Sequence, residues 1–549
     1  MSEAVRTVPR GAEMLVRAMQ RAGVRCVFSL SGNHIMPVYD ALIDSGIRLI
    51  HTRHEAAAVH MADAWGRLTG EVGVALVTGG PGHANAVSAL YTALMADSPV
   101  LLLSGHAPAD QLGMGPFQEM RQAEMAAPVC KASWTCAGPD AVAGDLARAF
   151  ALARAGRPGP VHLSLPSDAL EGFAAPASLP EAGLFSPVPQ RLAAELSSEL
   201  VAWLTSARHP LVLCGPQACT RVGRAQADAL RSAMGVPVIG MESPRGVADP
   251  ALGAWGDALA RADAVLLLGK RLDFTLKFGR APFGAHVRWA QVDADDAEID
   301  RSRRALEARL EIAALADFAA ACEALSAAAR PDDRHAAWCA EVDALIDWRP
   351  AAWAAPVSAT PGRLHPLQAL QPIQALLDSH PDAVFVCDGG EIGQWAQACL
   401  RAPQRLVNGV AGSIGSGLPF ALAARCALPA DVPVVAVSGD GSIGFHLAEF
   451  DTGVRHELPA VVVVGNDARW NAEYQIQLKD YGADRLHGCE LAPTRYEQAA
   501  AGLGAHGERV ERAEDLADAL ARARASGRVA CVNVMIEGLA APQLKRPAP

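Results

Sequence analysis

Two carboxylates and a run of glycines occur close together in the chain, in a pattern that could bind a phosphate and a metal ion. Asp440 stands in the glycine-rich turn at residues 438–442, and Asp467 follows a second turn. Glycines let backbone amides approach a phosphate closely, and a helix N-terminus after such a turn favours an anion. Carboxylate oxygens beside phosphate oxygens are the hard ligands that Mg²⁺ prefers. The stretch at residues 434–470 therefore predicts a site for a phosphate and Mg²⁺.

The elements that would position these carboxylates are a strand, a turn, a helix, a second strand and a second turn. Apolar runs at residues 434–437 and 459–464 predict the two strands. Both turns then fall at the carboxyl ends of strands, where parallel α/β sheets bind ligands. The stretch contains no Gly-Lys-Ser/Thr P-loop, so it does not match that nucleotide-binding pattern.

Helical and apolar strand patterns alternate along the whole chain, with short connections between them. Such alternation predicts parallel, doubly wound sheets. The predicted fold class is α/β, with three doubly wound parallel-sheet domains at residues 1–175, 191–345 and 362–540. The segment at residues 170–190 is rich in Ala, Pro and Gly and is predicted to be a linker. The tail at residues 540–549 is predicted to be frayed.

Composition limits the class of protein. The chain has 549 residues and a net charge of -11, so we expect neither a nucleic-acid nor an anionic-membrane partner. It has no run of apolar residues long enough for a membrane span, and residues 1–23 lack the apolar core of a signal peptide. The 12 cysteines are scattered without zinc-site spacing, which is typical of reduced thiols in a cytoplasmic protein.

The turn at Asp440, followed by Asn466 and Asp467, resembles the diphosphate and metal motif of thiamine-diphosphate enzymes. The resemblance implies that the carboxylates of Asp440 and Asp467 and the backbone carbonyl of Arg469 ligate Mg²⁺. Most family members carry Asn at the position of Asp467, but a carboxylate is still a hard oxygen donor, so we expect metal binding with one extra negative charge. The resemblance further assigns cofactor contacts in the third domain to Gly390, Glu391, Ile392, Gly412, Ile414, Asp440, Gly441, Ser442, Asp467, Arg469 and Trp470.

Two of these third-domain residues differ from a simple diphosphate contact. Ile414 takes the position of the family's large apolar residue that wedges under the cofactor and bends it; the alternative is a plain core residue. Glu391 belongs to the segment that would lie along the diphosphate. The negative charge of this side chain would repel the phosphates, so we expect its carboxylate to face away from them or to accept a hydrogen bond from an amide.

Glu55 resembles the catalytic glutamate of the family's pyrimidine-binding domain. By this resemblance it bonds N1′ of the aminopyrimidine and drives formation of the imino tautomer, whose nitrogen takes the C2 proton of the thiazolium. Taken alone, a Glu in a first helical turn is also explained as a residue favoured by the helix dipole. The resemblance also assigns Gly82 and Asn85 to the cofactor.

Substrate-facing residues are predicted in the first domain. His34 ends a Gly-Asn-His segment that is similar to one in benzaldehyde lyase, whereas acetolactate synthases lack this histidine. Gln118 lies in a Phe-Gln-Glu segment that acetolactate synthases share, and it would point at the reacting carbon. The predicted catalytic residues are thus Glu55, His34 and Gln118. His83 would either reach the cofactor or be a solvated turn residue, and residues 470–484 resemble a lid over the site.

The central domain carries a weaker resemblance. Lys270 and Arg271 lie in a segment similar to 2-hydroxyacyl-CoA lyases, so either could meet a phosphate of an acyl-CoA or of ADP; the alternative is a solvated charge pair. FAD is bound in this domain by acetolactate synthases, so the resemblance leaves FAD open as a further cofactor here, although we identify no residue that would bind it.

The resemblance implies a thiamine-diphosphate- and Mg²⁺-dependent enzyme that makes or breaks a carbon–carbon bond next to a carbonyl. We expect an acetolactate synthase-like lyase or carboligase acting on 2-oxo acids or acyloins. A 2-hydroxyacyl-CoA lyase is one alternative, and a non-catalytic cofactor-binding subunit is another, against which Glu55 argues. Relatives bind the cofactor between the first domain of one chain and the third of another, so we expect a homodimer at least, or a homotetramer. We expect the substrate to be a small molecule.

Overall fold

The computed structural model describes residues 8–175, 179–330 and 332–546. Its strands form three sheets of six, five and six strands, and each strand is parallel to the neighbours with which it pairs within a sheet. Helices connect successive strands, so the predicted α/β class with three parallel sheets is confirmed. The chain divides into two compact units: the first ends at Val188, and the second, which contains two of the sheets, begins at Pro189.

The first unit is built on a six-stranded sheet in the order β2-β1-β3-β4-β6-β5. Its middle strands are buried along their whole length, as apolar strands covered by helices on both faces are. The strands are β1 (Cys26–Ser29), β2 (Arg48–His51), β3 (Gly73–Val77), β4 (Val100–His106), β5 (Ala132–Thr135) and β6 (Val161–Pro166). The helices are α1 (Gly11–Arg21), α2 (Met36–Leu42), α3 (Glu55–Thr69), α4 (Pro81–Met95), α5 (Gln122–Ala126), α6 (Val142–Arg154) and α7 (Ser167–Glu171).

Helix α3 shows how local sequence sets the ends of these helices. The side chain of His54 accepts a hydrogen bond from the Ala56 backbone N–H and so caps the N-terminus. Gly70 closes the C-terminus in the left-handed conformation, at φ +73°, which glycine adopts without a steric cost. The two caps place Glu55 in the first turn of the helix.

The second unit begins with a five-stranded sheet in the order β11-β10-β9-β7-β8. Its strands are β7 (Pro210–Cys214), β8 (Val238–Gly240), β9 (Ala264–Leu268), β10 (Arg288–Asp293) and β11 (Leu310–Leu315). Its helices are α8 (Ala194–Thr205), α9 (Arg221–Met234), α10 (Gly256–Arg261), α11 (Asp296–Leu306), α12 (Phe318–Ala328) and α13 (Ala336–Asp347).

The third sheet has six strands in the order β13-β12-β14-β15-β17-β16. Counted from its own first strand, this order is the same as that of the first sheet, which the amino-acid sequence barely indicates. The strands are β12 (Val384–Cys387), β13 (Gln404–Val407), β14 (Val434–Gly439), β15 (Val461–Asn466), β16 (His506–Val510) and β17 (Ala530–Met535). The helices are α14 (Pro366–Asp378), α15 (Gly390–Cys399), α16 (Gly417–Ala427), α17 (Asp440–Ile443), α18 (Glu449–Arg455), α19 (Asn471–Asp480), α20 (Tyr496–Gly502) and α21 (Ala513–Ala525).

The boundary between the two compact units, after Val188, falls within the predicted linker, whereas the described part of the predicted tail differs from expectation. Within the linker, Phe185 is buried, and its ring lies 6.1 Å from that of Phe150 on α6. In the tail, the Ala541 backbone N–H donates to Glu391 and the Ala540 carbonyl accepts from the Trp395 indole, so the prediction of fraying is wrong at these positions. Residues 176–178 of the linker and 547–549 of the tail lie outside the described residues, as do residues 1–7 of the first predicted domain.

The structure divides the chain into two compact units, and the domain boundaries at 1–175, 191–345 and 362–540 stay predictions. Among the residues that the structure describes, no helix combines the length and the hydropathy that crossing a membrane requires.

Candidate functional site

The predicted third-domain residues converge at the carboxyl ends of β12, β14 and β15. Gly439 at the end of β14 pairs with Gly465 near the end of β15, so Asp440 and Asp467 both lie just beyond their strands. Gly412 does not line the cavity formed there. The predicted residues that line it are Gly390, Glu391, Ile392, Ile414, Asp440, Gly441, Ser442, Asp467, Arg469 and Trp470.

The two aspartates of this cavity are buried, which disfavours their charged forms. Asp440 is 2% exposed and Asp467 is 8% exposed. Burial raises the pKa of both carboxyls, and the charge of Asp440 raises the pKa of Asp467 further, against the opposing charge of Arg469. The Asp440 Oδ2 atom is buried without a hydrogen-bond partner. A divalent cation would satisfy this oxygen and neutralise the pair, so the residues present fit Mg²⁺.

Protein side chains supply only part of a metal coordination shell here. Among the described residues, no group of three or more His, Cys, Asp and Glu side chains is arranged to hold a metal ion. The donor set at Asp440 and Asp467 would thus need a backbone carbonyl and ligand oxygens to complete it. Mg²⁺ commonly binds in this way, through one or two carboxylates together with phosphate oxygens.

Close backbone packing shapes the wall of the cavity. A Cβ atom at Gly389 would lie 2.2 Å from Ile414 Cγ2, and one at Gly441 would lie 2.5 Å from the Trp470 ring. Both glycines therefore permit approaches that a side chain would block. Ile414 lines the cavity and is in contact with the Gly389 turn.

Asp388 is an anchoring residue for the Ile414 segment, a role that sequence reasoning missed. Its buried carboxylate accepts hydrogen bonds from the Gly415 N–H at 3.0 Å and from the Gly417 N–H at 3.0 Å. Burial raises the pKa of Asp388 to about 6. The sequence feature that could have predicted this role is an acidic residue directly after the apolar strand β12. A carboxylate buried there without hydrogen-bond partners would be costly.

Glu391 lines the cavity, but its carboxylate accepts hydrogen bonds from amides, which is one of the two arrangements expected for it. Oε2 accepts from the Gln394 side chain at 3.0 Å and from the Ala541 backbone N–H at 3.0 Å. Burial raises the pKa of this carboxyl, and the charge of Arg245 opposes the rise. The carboxylate thus binds the C-terminal tail.

In the first unit, the structure brings Glu55, Gly82 and Asn85 together at the N-terminal ends of α3 and α4. The Asn85 side-chain amide donates to Glu55 Oε2 at 3.0 Å. A Cβ at Gly82 would lie 3.2 Å from Glu55 Oε1, so the glycine leaves this carboxylate accessible from the α4 side. Glu55 itself is 8% exposed. The arrangement presents one oriented carboxylate beside two helix N-termini.

His34 and Gln118 belong to adjacent loops of the first unit. His34 is buried, its Nδ1 lies 3.1 Å from Thr78 Oγ1, and its ring stacks on Phe117 at 6.1 Å. Burial lowers the pKa of His34. Gln118 adopts the left-handed conformation at φ +58°, with its carbonyl against Gly80, where a Cβ would lie 2.8 Å away. Thr78 and Gly80 belong to the turn that leads to Gly82, so the predicted catalytic residues share one loop cluster.

Comparison with known proteins decides the family. Three family models match the chain: the N-terminal binding domain of thiamine pyrophosphate enzymes at residues 9–125, the central domain at 197–325 and the C-terminal binding domain at 388–534. The chain belongs to the thiamine pyrophosphate enzyme family. The predicted family, the three-domain fold and the enzyme class are thereby confirmed.

The relatives of this thiamine pyrophosphate enzyme carry two different names. It is 33% identical to a probable acetolactate synthase of Mycobacterium bovis, over 95% of each chain. It is also 31% identical to 2-hydroxyacyl-CoA lyase 2 of Homo sapiens, over 96% of this chain and 90% of that one. A third relative, the acetolactate synthase large subunit of Parasynechococcus marenigrum, is 30% identical over 83% of this chain and 76% of that one. The similarity is therefore acetolactate synthase-like across nearly the whole chain and includes the lyase named as an alternative.

His83 of this thiamine pyrophosphate enzyme is not the solvated turn residue that was one expectation. It is fully buried, its Nδ1 lies 2.8 Å from Ser104 Oγ, and its ring lies 4.5 Å from that of His162. The first turn of α4 thus directs Asn85 towards Glu55 and His83 towards the sheet. Residues at these two positions lie on different sides of a helix, which explains the divergence.

The central domain of the enzyme does not present its charged pair to solvent. Lys270 is 2% exposed and donates to Thr275 Oγ1 at 2.6 Å, and Arg271 pairs with Glu298 at 3.2 Å. The prediction of a solvated pair is therefore wrong, and both cations already have protein partners. The loops after β7 and β9 pack closely, since a Cβ at Gly215 would lie 2.0 Å from the Gly269 carbonyl oxygen. The segment predicted as a lid forms α19, and its role stays a prediction.

Proposed function

We propose that this chain is a thiamine-diphosphate- and Mg²⁺-dependent carbon–carbon lyase and carboligase, acetolactate synthase-like, that acts on 2-oxo acids or acyloins. The observation that carries the proposal is the cavity in which an unsatisfied, buried Asp440 oxygen lies among glycine-rich strand ends. Asp440, Asp467 and the Arg469 carbonyl would hold Mg²⁺, with Gly441 and Ser442 beside the diphosphate.

The residues of the first unit would handle protons. Bound thiamine diphosphate supplies a nucleophilic carbon and an electron sink next to the substrate carbonyl. Glu55, oriented by Asn85, would hold a proton at the aminopyrimidine N1′. His34 has a pKa lowered by burial, so its imidazole is neutral at physiological pH and can accept a proton from a substrate hydroxyl. Gln118 would donate a hydrogen bond to the developing alkoxide.

The assembly and location follow from the same proposal. Family members bind the cofactor between the first domain of one chain and the third of another, which supports a homodimer at least and a homotetramer as the larger assembly. The net charge of -11 supports a small-molecule substrate without a nucleic-acid partner, and the free cysteines support a cytoplasmic enzyme.

Product analysis tests the proposal. The purified chain with Mg²⁺ and thiamine diphosphate is incubated with pyruvate, with longer 2-oxo acids and with acyloins. We expect release of carbon dioxide and formation of a 2-hydroxy-3-oxo acid or an acyloin, or cleavage of the acyloin. A chain that binds the cofactor stoichiometrically but turns over no member of the panel would contradict the proposal.

A 2-hydroxyacyl-CoA lyase is a second candidate function, and a particular cavity favours it. A cavity of about 760 Å³ within the second unit shares Glu391 and Ala472 with the cofactor cavity. Its lining combines apolar side chains and the carboxylates of Asp249 and Glu391 with three cations, Arg245, Lys479 and Lys545, which could meet the phosphates of a large anionic substrate. Cleavage of a 2-hydroxyacyl-CoA at a higher kcat/KM than any 2-oxo acid or acyloin would decide for this function, and Arg245→Ala should then raise KM for the thioester only.

A further inference from the structure

A chain of buried polar side chains leads from helix α20 to the turn that carries Asp467. Asn466 at the end of β15 and Asn533 on β17 are fully buried, and Glu497 in the first turn of α20 is 5% exposed. The flanking residues of Asn533, Val532 and Val534, belong to the apolar core of the sheet. A buried amide in such a strand needs hydrogen-bond partners, because its desolvation is otherwise uncompensated.

The partners of these amides form a continuous path. Asn533 Nδ2 donates to Glu497 Oε2 at 2.7 Å, and Asn533 Oδ1 accepts from Asn466 Nδ2 at 3.1 Å. Both amides also donate to the Thr494 carbonyl, at 3.0 Å from Asn466 and 3.2 Å from Asn533. Glu497 in turn pairs with Arg495, so its charge is compensated. The side-chain amide of Asn533 is thus oriented from two sides.

The path ends on the backbone of the turn after β15. Asn466 Oδ1 accepts from the Ala468 N–H at 3.2 Å, and Ala468 adopts the left-handed conformation at φ +59°. A non-glycine residue in this conformation is disfavoured locally and persists where the surroundings hold it. Asp467 and Arg469 flank Ala468, so the conformation of this residue sets the direction of both proposed Mg²⁺ donors.

We propose that Asn533, held by Glu497 and acting through Asn466, is a positioning residue that sets the Asp467–Arg469 turn for the Mg²⁺-diphosphate group. This inference rests on the proposed function. Asn533 belongs to a different strand from the proposed donors and touches none of them in the path described. Its contribution is to fix the rotamer of Asn466, which in turn fixes the Ala468 amide.

Metal affinity measured independently of turnover tests this role. Asn533→Leu keeps the side-chain size and removes all three side-chain hydrogen bonds, with Glu497, Thr494 and Asn466. Cofactor binding is followed by tryptophan fluorescence, since Trp470 packs on Gly441, while Mg²⁺ is titrated at saturating thiamine diphosphate. Because loss of a supporting partner typically weakens metal binding about 10- to 100-fold, we expect Asn533→Leu to raise the apparent Mg²⁺ Kd at least about 10-fold.

Two matched variants separate positioning from loss of stability. Val532→Ala lies on the same strand and removes core packing without touching the path, so it should lower the unfolding midpoint and leave the Mg²⁺ Kd close to that of the wild type. Glu497→Gln keeps an acceptor for Asn533 and should also bind Mg²⁺ like the wild type, whereas Glu497→Leu should not. Glu497→Leu gives the same test from the α20 end if Asn533→Leu does not fold.

The outcomes distinguish this inference from the function on which it rests. A wild-type chain that binds no Mg²⁺ with thiamine diphosphate would overturn both. Wild-type binding together with an unchanged Kd in Asn533→Leu, or with an equal rise in Val532→Ala, would overturn the positioning role alone.

Discussion

The first and third sheets have the same strand order, but the ionisable side chains buried around them differ in type: histidines around the first sheet and carboxylates beyond the strand ends of the third. Histidines are buried on and against the first sheet: His162 on β6 and His83 on α4 are fully buried, and His106 on β4 is 4% exposed. The third sheet buries the carboxylates of Asp440 and Asp467 beyond its strand ends. A shared topology therefore determines where ligands can bind, at the carboxyl ends of strands, while the side chains decide which ligand and which protonation state the region favours.

Each of the three histidines has one ring nitrogen within hydrogen-bond distance of a partner, and its other ring nitrogen is buried. His83 pairs with Ser104, His162 with Ser133, and His106 with the Met120 carbonyl. Their remaining nitrogens, Nε2 of His83 and His162 and Nδ1 of His106, are buried without a hydrogen-bond partner. Burial lowers the pKa of His83 to about 4 and that of His162 well below its usual value. His83 and His162 therefore stay neutral at neutral pH in the folded chain.

Removal of the third-sheet carboxylate should have the largest effect. Asp440→Ala is expected to abolish retention of thiamine diphosphate and Mg²⁺, because the buried oxygen that a cation would satisfy is lost. Asp467→Asn should retain both, since an amide oxygen is still a donor. Cofactor content after gel filtration, measured by chromatography of the acid extract, checks this. Stoichiometric cofactor in Asp440→Ala would place the site elsewhere.

The corresponding change in the first unit, at Glu55 on α3, should separate cofactor binding from catalysis. Glu55→Gln is expected to bind the cofactor nearly normally and to slow C2–H exchange at least about 100-fold, the usual scale for removing a general acid or base. Exchange is read by NMR after acid quench. Glu71→Gln, whose carboxylate is exposed and paired with Arg25, is the matched control and should exchange at the wild-type rate. Unchanged exchange in Glu55→Gln would refute the proposed role.

A smaller and more selective effect is expected at His34. His34→Ala should slow cleavage of an acyloin or 2-hydroxyacyl donor by on the order of 100-fold, because a proton acceptor is removed. Decarboxylation of a 2-oxo acid does not need that acceptor and should be affected far less. Steady-state rates on both donor types, in wild type and variant, give the comparison. Equal losses on both would make His34 a structural residue and favour acetolactate synthase-type decarboxylation.

The buried histidines predict acid sensitivity of the first unit. The unfolded chain binds a proton at each imidazole below pH 6.5, whereas burial keeps folded His83 neutral down to about pH 4. Stability from the neutral His83 and His162 side chains is therefore present above pH 6.5 and is lost as the pH falls. Denaturant unfolding of the full chain across this range should show the loss, and His162→Leu should reduce its pH dependence. Equal slopes in wild type and variant would contradict the prediction.

The third-sheet carboxylates should respond in the opposite sense. Their pKa values are raised in the folded state, so without metal they cost stability above pH 3.8, and the cost grows as the pH rises. Asp467→Asn should then raise the free energy of unfolding of the metal-free chain by on the order of 1 kcal/mol at neutral pH. Chemical denaturation in the presence of a chelator measures it, and adding Mg²⁺ with cofactor to both proteins is the control. A variant less stable than the metal-free wild type would contradict the argument.

Much of the third-domain site was predictable because its residues are close in sequence to strand ends. The apolar runs at residues 434–437 and 459–464 match β14 and β15 closely, and the turns after them lie where parallel strands end. Gly412, predicted with the same segment as Ile414, does not line the cavity, and its backbone is in the left-handed region at φ +69°. A motif indicates which segment is near a ligand, whereas the direction of each residue depends on local dihedral angles.

The sequence by itself determined the strands, the glycine-rich turns and the acidic residues at their ends, because apolar periodicity and turn chemistry are local properties. Only the tertiary structure decided that Glu391 binds the amide of Ala541, that His83 faces His162, and that Asn533 reaches Asn466. These partners are far apart along the chain. Asn533 and Asn466 meet because β15 and β17 are neighbours in the sheet, and the other pairs meet through packing of a helix or of the tail, none of which local patterns encode.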